Sequence, residues 1–193
     1  MTTLTQLLDI AAGRSEGRPA LIYRDRPVSH SDLAAMARRL AQGLADLGVG
    51  PGDRVALWMP NAPAYLAAFF ACGRLGAIAT AVNTRYRAVE VGDIVSRSGA
   101  KVLFCWPGFK GIDFAAILAE VEPQQLSGLE HLVIYGEDEA AVSLPDIPGV
   151  TTVAYADLDR AREMTDDHAQ PAIGCAIFTT SGTTKAPKFV LHP

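Results

Sequence analysis

A chain of 193 residues that is 49% hydrophobic and 20% charged carries enough apolar matter to bury a core, which excludes disorder as its default state. Its formal net charge of -4 is small, and its 17 Lys and Arg residues are scattered rather than gathered into one run, so nucleic acid is not the expected partner. Three cysteines, Cys72, Cys105 and Cys175, are odd in number and too far apart for a disulfide framework or a CxxC metal pair. They read as buried thiols of a reducing compartment.

The first residues, Met1-Thr2-Thr3-Leu4-Thr5, lack the basic and apolar regions of a secretory signal, which sets a cytoplasmic expectation. A short amphipathic helix is predicted over 4–12. Residues 20–23 and 28–29, separated by Arg24-Asp25-Arg26-Pro27, read as a hairpin. Ser29 is a good N-cap with Asp32 three residues on, and Leu33, Met36, Leu40, Leu44 and Leu47 then recur at helical spacing until Gly48. Gly50-Pro51-Gly52-Asp53 makes a turn into a buried strand over 54–59.

The run 62–82 is apolar and long enough to suggest a membrane span. Pro63 in its first turn, Arg74 inside it and Gly76 near its end instead divide it into a buried helix, 62–75, capped by Asn61, and a buried strand, 77–82. The alternation continues with a helix over 88–98 stopped by Gly99, a strand over 101–105, a helix over 112–121 and a strand over 131–135. Residues 136–149, rich in Glu, Asp, Pro and Gly, read as a surface loop, and Glu137-Asp138-Glu139 within it as a solvated turn rather than a metal site. Strands that are continuously apolar, alternating with helices, predict an α/β fold with a mostly parallel sheet and helices on both faces. Ligands of such sheets sit at the carboxyl ends of the strands.

A last apolar strand, predicted over 172–178 and buried in type, leads into Thr179-Thr180-Ser181-Gly182-Thr183-Thr184-Lys185-Ala186-Pro187-Lys188. Gly182 lets backbone approach an anion closely, and successive peptide N–H groups in a tight loop can form an anion nest. The hydroxyls of Thr180, Ser181, Thr183 and Thr184 can donate to phosphate oxygens, while Lys185 and Lys188 add positive charge. Composition alone also suits a plain turn. A P-loop needs glycine immediately before its lysine and Ser or Thr after it, whereas Pro187 precedes Lys188 and Phe189 follows it. Residues 189–191 then look like a new strand rather than a phosphate-capping helix.

The loop resembles the T-S-G-T-T-G-x-P-K-G signature of the AMP-forming acyl-activating superfamily. The blocks G-P-G-D-R-V-A-L at 50–57, P-N-A-P-A-Y-L-A-A-F-F-A at 60–71, G-A-I-A-T-A-V-N at 76–83 and S-G-A-K-V-L-F at 98–104 are similar, in order, to that family's amino-terminal region, with fatty-acyl-CoA ligases nearest in flavour. The resemblance implies that residues 1–193 are the amino-terminal α/β subdomain of an AMP-binding domain, incomplete, with its phosphate-binding loop at 179–188. It also implies ATP, Mg²⁺ and CoA as the parent enzyme's reaction partners, a carboxylic acid as substrate, and Thr180, Ser181, Gly182, Thr183, Thr184, Lys185 and Lys188 as the nucleotide contacts. The adenine, metal and carboxylate residues of the family have no counterpart here, so no catalytic residue is assigned, and His192 reads as a surface or strand-end histidine. Lys185 and Phe189 stand where the signature has glycine, and Phe189 is expected to pack against the sheet. The isolated chain is expected to be inactive and prone to self-association through bared apolar faces. A non-catalytic anion-binding module, or a subunit that completes a site with another chain, stays open at this point.

Overall fold

The computed structural model describes residues 2–15, 18–136, 146–180 and 188–193. Helix α1 (Leu4–Arg14) opens on Thr3, whose hydroxyl accepts from the Gln6 amide while the Gln6 side chain returns to the Thr3 amide. Strands β1 (Pro19–Tyr23) and β2 (Arg26–Ser29) form a separate antiparallel hairpin. Its turn residues Arg24 and Asp25 both take positive φ, as a two-residue loop of this hand requires. Helix α2 (His30–Asp46) starts at Ser29, whose side chain accepts from the Asp32 amide. Its inward stripe includes Leu33, Leu40 and Leu44. Full burial of one such leucine contributes about 2 kcal/mol, so packing, more than helix propensity, holds α2 in place.

The main sheet has seven strands in the order β7-β6-β5-β3-β4-β8-β9, parallel throughout except for the antiparallel pair β8–β9. They are β3 (Arg54–Trp58), β4 (Ile78–Ala81), β5 (Ala100–Cys105), β6 (His131–Ile134), β7 (Thr151–Ala154), β8 (Ala176–Thr180) and β9 (Lys188–His192). Side-chain alternation along β3 splits the core in two. Val55 and Leu57 join the cluster beneath α2 and helix α3 (Pro63–Leu75), while Ala56 and Trp58 join a second beneath helices α4 (Ala88–Ser98) and α5 (Phe114–Ala119). Helices therefore cover both faces, as expected.

Several boundaries differ from the expected ones for identifiable reasons. The N-cap of α3 is Ala62, with no side-chain cap bond, and Asn61 is exposed instead of capping. Pro63 at the first helical position needs no amide partner, which lowers the demand for a cap. α5 covers only 114–119 because Gly111, at positive φ, breaks the chain before it and Asp113 takes the N-cap, accepting from the Ala116 amide. β8 begins four residues later than expected, at Ala176, beyond Pro171 and Gly174, and extends through Thr180. It is not a fully buried strand either, since Phe178 is 42% exposed. Strand β7 and the short helix α6 (Tyr155–Leu158), each four residues long, had no clear periodic signal.

From α6 to β8 the chain runs as a strap across α1, α2 and α3. The Met164 amide donates to the Arg38 carbonyl and the His168 amide to the Arg74 carbonyl. Arg39 grips Asp159, and Arg38 bonds Glu163 at 2.6 Å. Arg74 pairs with Asp9 on α1 and donates to the Asp166 carbonyl, and Thr5 donates to Asp167 at 2.8 Å. Close approach to the strap explains Gly76, whose φ is 67° and where a Cβ would lie 2.8 Å from the His168 carbonyl oxygen.

Cys72 and Cys105 are buried and free, as read from the sequence, whereas Cys175 is only half-buried, in the residue just before β8. Burial pushes the Cys72 thiol up to about 12 and Cys105 in the same direction. The reactive species is the thiolate. A disulfide reagent such as DTNB at pH 8 should therefore titrate Cys175 in the native chain and all three thiols only after denaturation. Rapid native reaction of three thiols would contradict the packing described.

Candidate functional site

β3 and β4 feed helices on opposite faces: α3 packs with the first core cluster, α4 with the second. The crevice where neighbouring parallel strands send their connections to opposite sides is the usual ligand position in such a sheet. A cleft of about 460 Å³ lies there, lined by Asn61 after β3, Asn83 and Tyr86 after β4, Lys110 after β5, and Phe178 and Thr179 at the end of β8. Polar groups converge on it from the ends of four adjacent strands, β5, β3, β4 and β8. No helix among the described residues is long and apolar enough to cross a membrane.

The expected phosphate residues divide into two sets. Thr180 ends β8, Lys188 begins β9, and the two face each other as a Cα pair at the carboxyl end of the sheet, both exposed. Antiparallel pairing thus brings one hydroxyl and one ammonium donor together where β8 ends and β9 begins, beside the cleft. Ser181, Gly182, Thr183, Thr184 and Lys185 lie outside the described residues. The donors at this rung suit an anion. Among the described residues no group of three His, Cys, Asp or Glu side chains is placed to hold a metal ion.

Sequence reading missed Tyr86. Its hydroxyl lies 3.2 Å from Thr179 Oγ1, tying the β4–α4 connection to the strand that carries Thr180. The turn before it is shaped by Asn83, whose Oδ1 accepts from the Arg85 amide and whose carbonyl accepts from the Tyr86 amide. Asn61, expected as a cap, and Lys110, unassigned, also reach the cleft. Lys110 does so from a left-handed backbone, φ 51° and ψ 33°, a conformation costly for a residue with a Cβ. The signal that could have found all four is their position: each follows the carboxyl end of a parallel strand.

Phe189 packs against the α4-side core, as expected, with the Arg97 guanidinium 4.4 Å above its ring centre. His192 is exposed at the end of β9, with its ring 5.4 Å from that of Phe178.

Comparison with known proteins agrees with this architecture. The family profile described as AMP-binding enzyme matches residues 8–193. The chain is 34% identical over 175 residues to the long-chain-fatty-acid–CoA ligase FadD13 of Mycobacterium tuberculosis, covering 87% of this chain and 30% of that protein. It is 32% identical over 164 residues to 4-coumarate–CoA ligase 5 of Oryza sativa subsp. japonica, covering 85% and 27% respectively. Among solved structures, acetoacetyl-CoA synthetase from Streptomyces lividans superimposes with a TM-score of 0.83 at 27% identity, over 98% of this chain and 30% of that one. The chain thus spans less than a third of the length of these relatives. With the profile running from the first helix to the last strand, and the ordered sequence blocks falling on β3, α3, β4 and β5 around the cleft, the chain belongs to the AMP-binding enzyme family.

Proposed function

We propose that this chain supplies the phosphate side of the ATP site of an AMP-forming acid–CoA ligase, and that it is inactive alone. The observation that carries the reading is the rung Thr180–Lys188 at the carboxyl end of the sheet, next to the switch-point cleft. In this reading residues 179–188 are the phosphate-binding loop, and Thr180, Ser181, Gly182, Thr183, Thr184, Lys185 and Lys188 contact the β- and γ-phosphates. ATP enters as its Mg²⁺ complex. A carboxylate oxygen attacks the α-phosphorus, pyrophosphate leaves, and the acyl-adenylate then passes its acyl group to the CoA thiol with release of AMP. The chain's own part is electrostatic: hydroxyl, amide and ammonium donors stabilise charge that grows on the departing pyrophosphate and hold the nucleotide in line for attack.

Relatives named as fatty-acid and 4-coumarate CoA ligases support a carboxylic acid substrate. The cleft mixes polar side chains, Asn61, Asn83 and Lys110 among them, with apolar ones such as Met59, Val82, Phe109 and Phe178. Edge strand β9 carries exposed Val190 and Leu191, the kind of surface through which the isolated chain would self-associate. A protein of the relatives' full length that contains this chain should exchange pyrophosphate into ATP only when a carboxylate is supplied, and the 193-residue chain alone should not. Exchange by the chain alone would overturn its expected inactivity. Absence of exchange by the full-length protein across aliphatic and aromatic acids would overturn the ligase assignment.

A further inference from the structure

We infer that Tyr86 and Arg97 are positioning residues that grip the base of the candidate phosphate site from the α4 side; the inference rests on the phosphate reading of Thr180 and Lys188. The rung next to Thr180–Lys188 is the pair Thr179–Phe189. Because side chains alternate along a strand, those of Thr179 and Phe189 leave the sheet on the face opposite to Thr180 and Lys188. Both members of this inner rung are held by one unit. Tyr86, two residues before α4 begins, meets Thr179 Oγ1 at 3.2 Å, and Arg97, in the last turn of α4, covers the Phe189 ring at 4.4 Å.

The gripping unit is itself anchored. Val91, Ile94 and Val95 of α4 are buried to within 2% of complete exclusion from solvent. Arg97 Nη1 donates to Asp93 at 2.7 Å, one turn back along α4, which steadies the guanidinium above the ring. Tyr86 is fixed by the Asn83 turn. A cation over an aromatic face is attractive through the ring quadrupole, and a hydroxyl pair adds direction. Two contacts on opposite strands of one rung fix both the spacing and the twist of the pair. Thr180 and Lys188, one residue further out, inherit that geometry, so their donors reach a polyphosphate without first ordering the stem.

Half of this clamp depends on a residue that departs from the signature the loop resembles. The signature that the loop resembles has glycine where Phe189 stands, and glycine offers no ring to Arg97. Where the loop departs from the family pattern, an aromatic contact thus joins the start of β9 to the end of α4.

The test is amide hydrogen exchange by NMR on the ¹⁵N-labelled 193-residue chain, with inorganic pyrophosphate as the probe ligand. Arg97→Gln, which removes the cation, and Phe189→Leu, which removes the ring, should each speed exchange in β8 and β9 by about threefold to tenfold, the range set by one cation–π contact. Tyr86→Phe should do so by about threefold. Protection in β3, β4 and β5 should stay as it is, and Phe189→Trp, which keeps an aromatic face, should retain slow exchange. The double variant Arg97→Gln/Phe189→Leu should be no faster than either single one, because both remove the same contact. Pyrophosphate dissociation constants should rise by a similar factor in Arg97→Gln.

Unchanged exchange in Arg97→Gln and Phe189→Leu would overturn the inference. So would acceleration spread equally over all strands, since that reports lost stability rather than lost positioning. Pyrophosphate binding indifferent to Arg97→Gln contradicts the clamp, whereas absence of pyrophosphate binding by the unsubstituted chain contradicts the functional reading on which it rests.

Discussion

Replacing Asp9 with Ala should destabilise the chain by about 2–3 kcal/mol, more than replacing Arg74, its buried partner, with Met. The two ends of this ion pair sit in different surroundings: the Arg74 side chain is 5% exposed and that of Asp9 is 40% exposed. Removing Asp9 leaves a guanidinium inside the protein with one long bond, 3.4 Å, to the Asp166 carbonyl. An uncompensated buried charge of this kind costs about 3–5 kcal/mol, and partial access of water to the Asp9 side lowers the expected value. Removing Arg74 instead leaves Asp9 half in water and still paired with Arg38 at 3.3 Å. Methionine fills much of the arginine volume without a charge, so Arg74→Met should cost about 1 kcal/mol or less. Urea unfolding with unchanged m-values measures both. The reverse order of costs would mean that the arginine contributes through packing and not through its charge.

Replacing Lys188 with Ala should weaken productive ATP use in the full-length protein by about tenfold to a hundredfold in kcat/KM, which is what one lost charge-assisted contact of roughly 1.5–3 kcal/mol produces. Lys188 is exposed in this chain, so the substitution should leave stability within about 0.5 kcal/mol, and the loss belongs to the site rather than the fold. Thr184→Ala should act in the same direction with a smaller effect, because a hydroxyl donor carries no net charge. If both act mainly on the leaving pyrophosphate, kcat falls together with kcat/KM. A rise in the KM for ATP at constant kcat would assign them to ground-state binding. Unchanged kinetics in both variants would remove residues 179–188 from the nucleotide site.

Much of the framework was legible in the sequence because it rests on local chemistry. Ser29 and Gly48 bounded α2, Gly99 ended α4, and the unbroken apolar runs of β3 and β5 announced strands buried on both faces. Four-residue β7 and α6 were not legible, because a segment so short shows no period, and the strap that follows is held by Asp159, Glu163 and Asp167 to helices more than a hundred positions earlier. The candidate site divides in the same way. Thr180 and Lys188 announced themselves through residue type and order. Tyr86, Lys110 and Asn61 did not, since what qualifies them is the strand end that each follows and the crevice that those ends share. Cys175 misled for a related reason: a cysteine in an apolar run reads as buried, but it lies just before β8, whose neighbour β9 is the sheet's edge strand.

Whether the rung Thr180–Lys188 forms the base of a polyphosphate site can be read by titrating the ¹⁵N-labelled chain with pyrophosphate, with chloride at matched ionic strength as the control, and following the amides of Thr180 and Lys188. Saturable shifts at these two positions and their neighbours, with the distant strands β6 and β7 unmoved, are the predicted result. Equal shifts with chloride, or none at Thr180 and Lys188 while other residues respond, would contradict it.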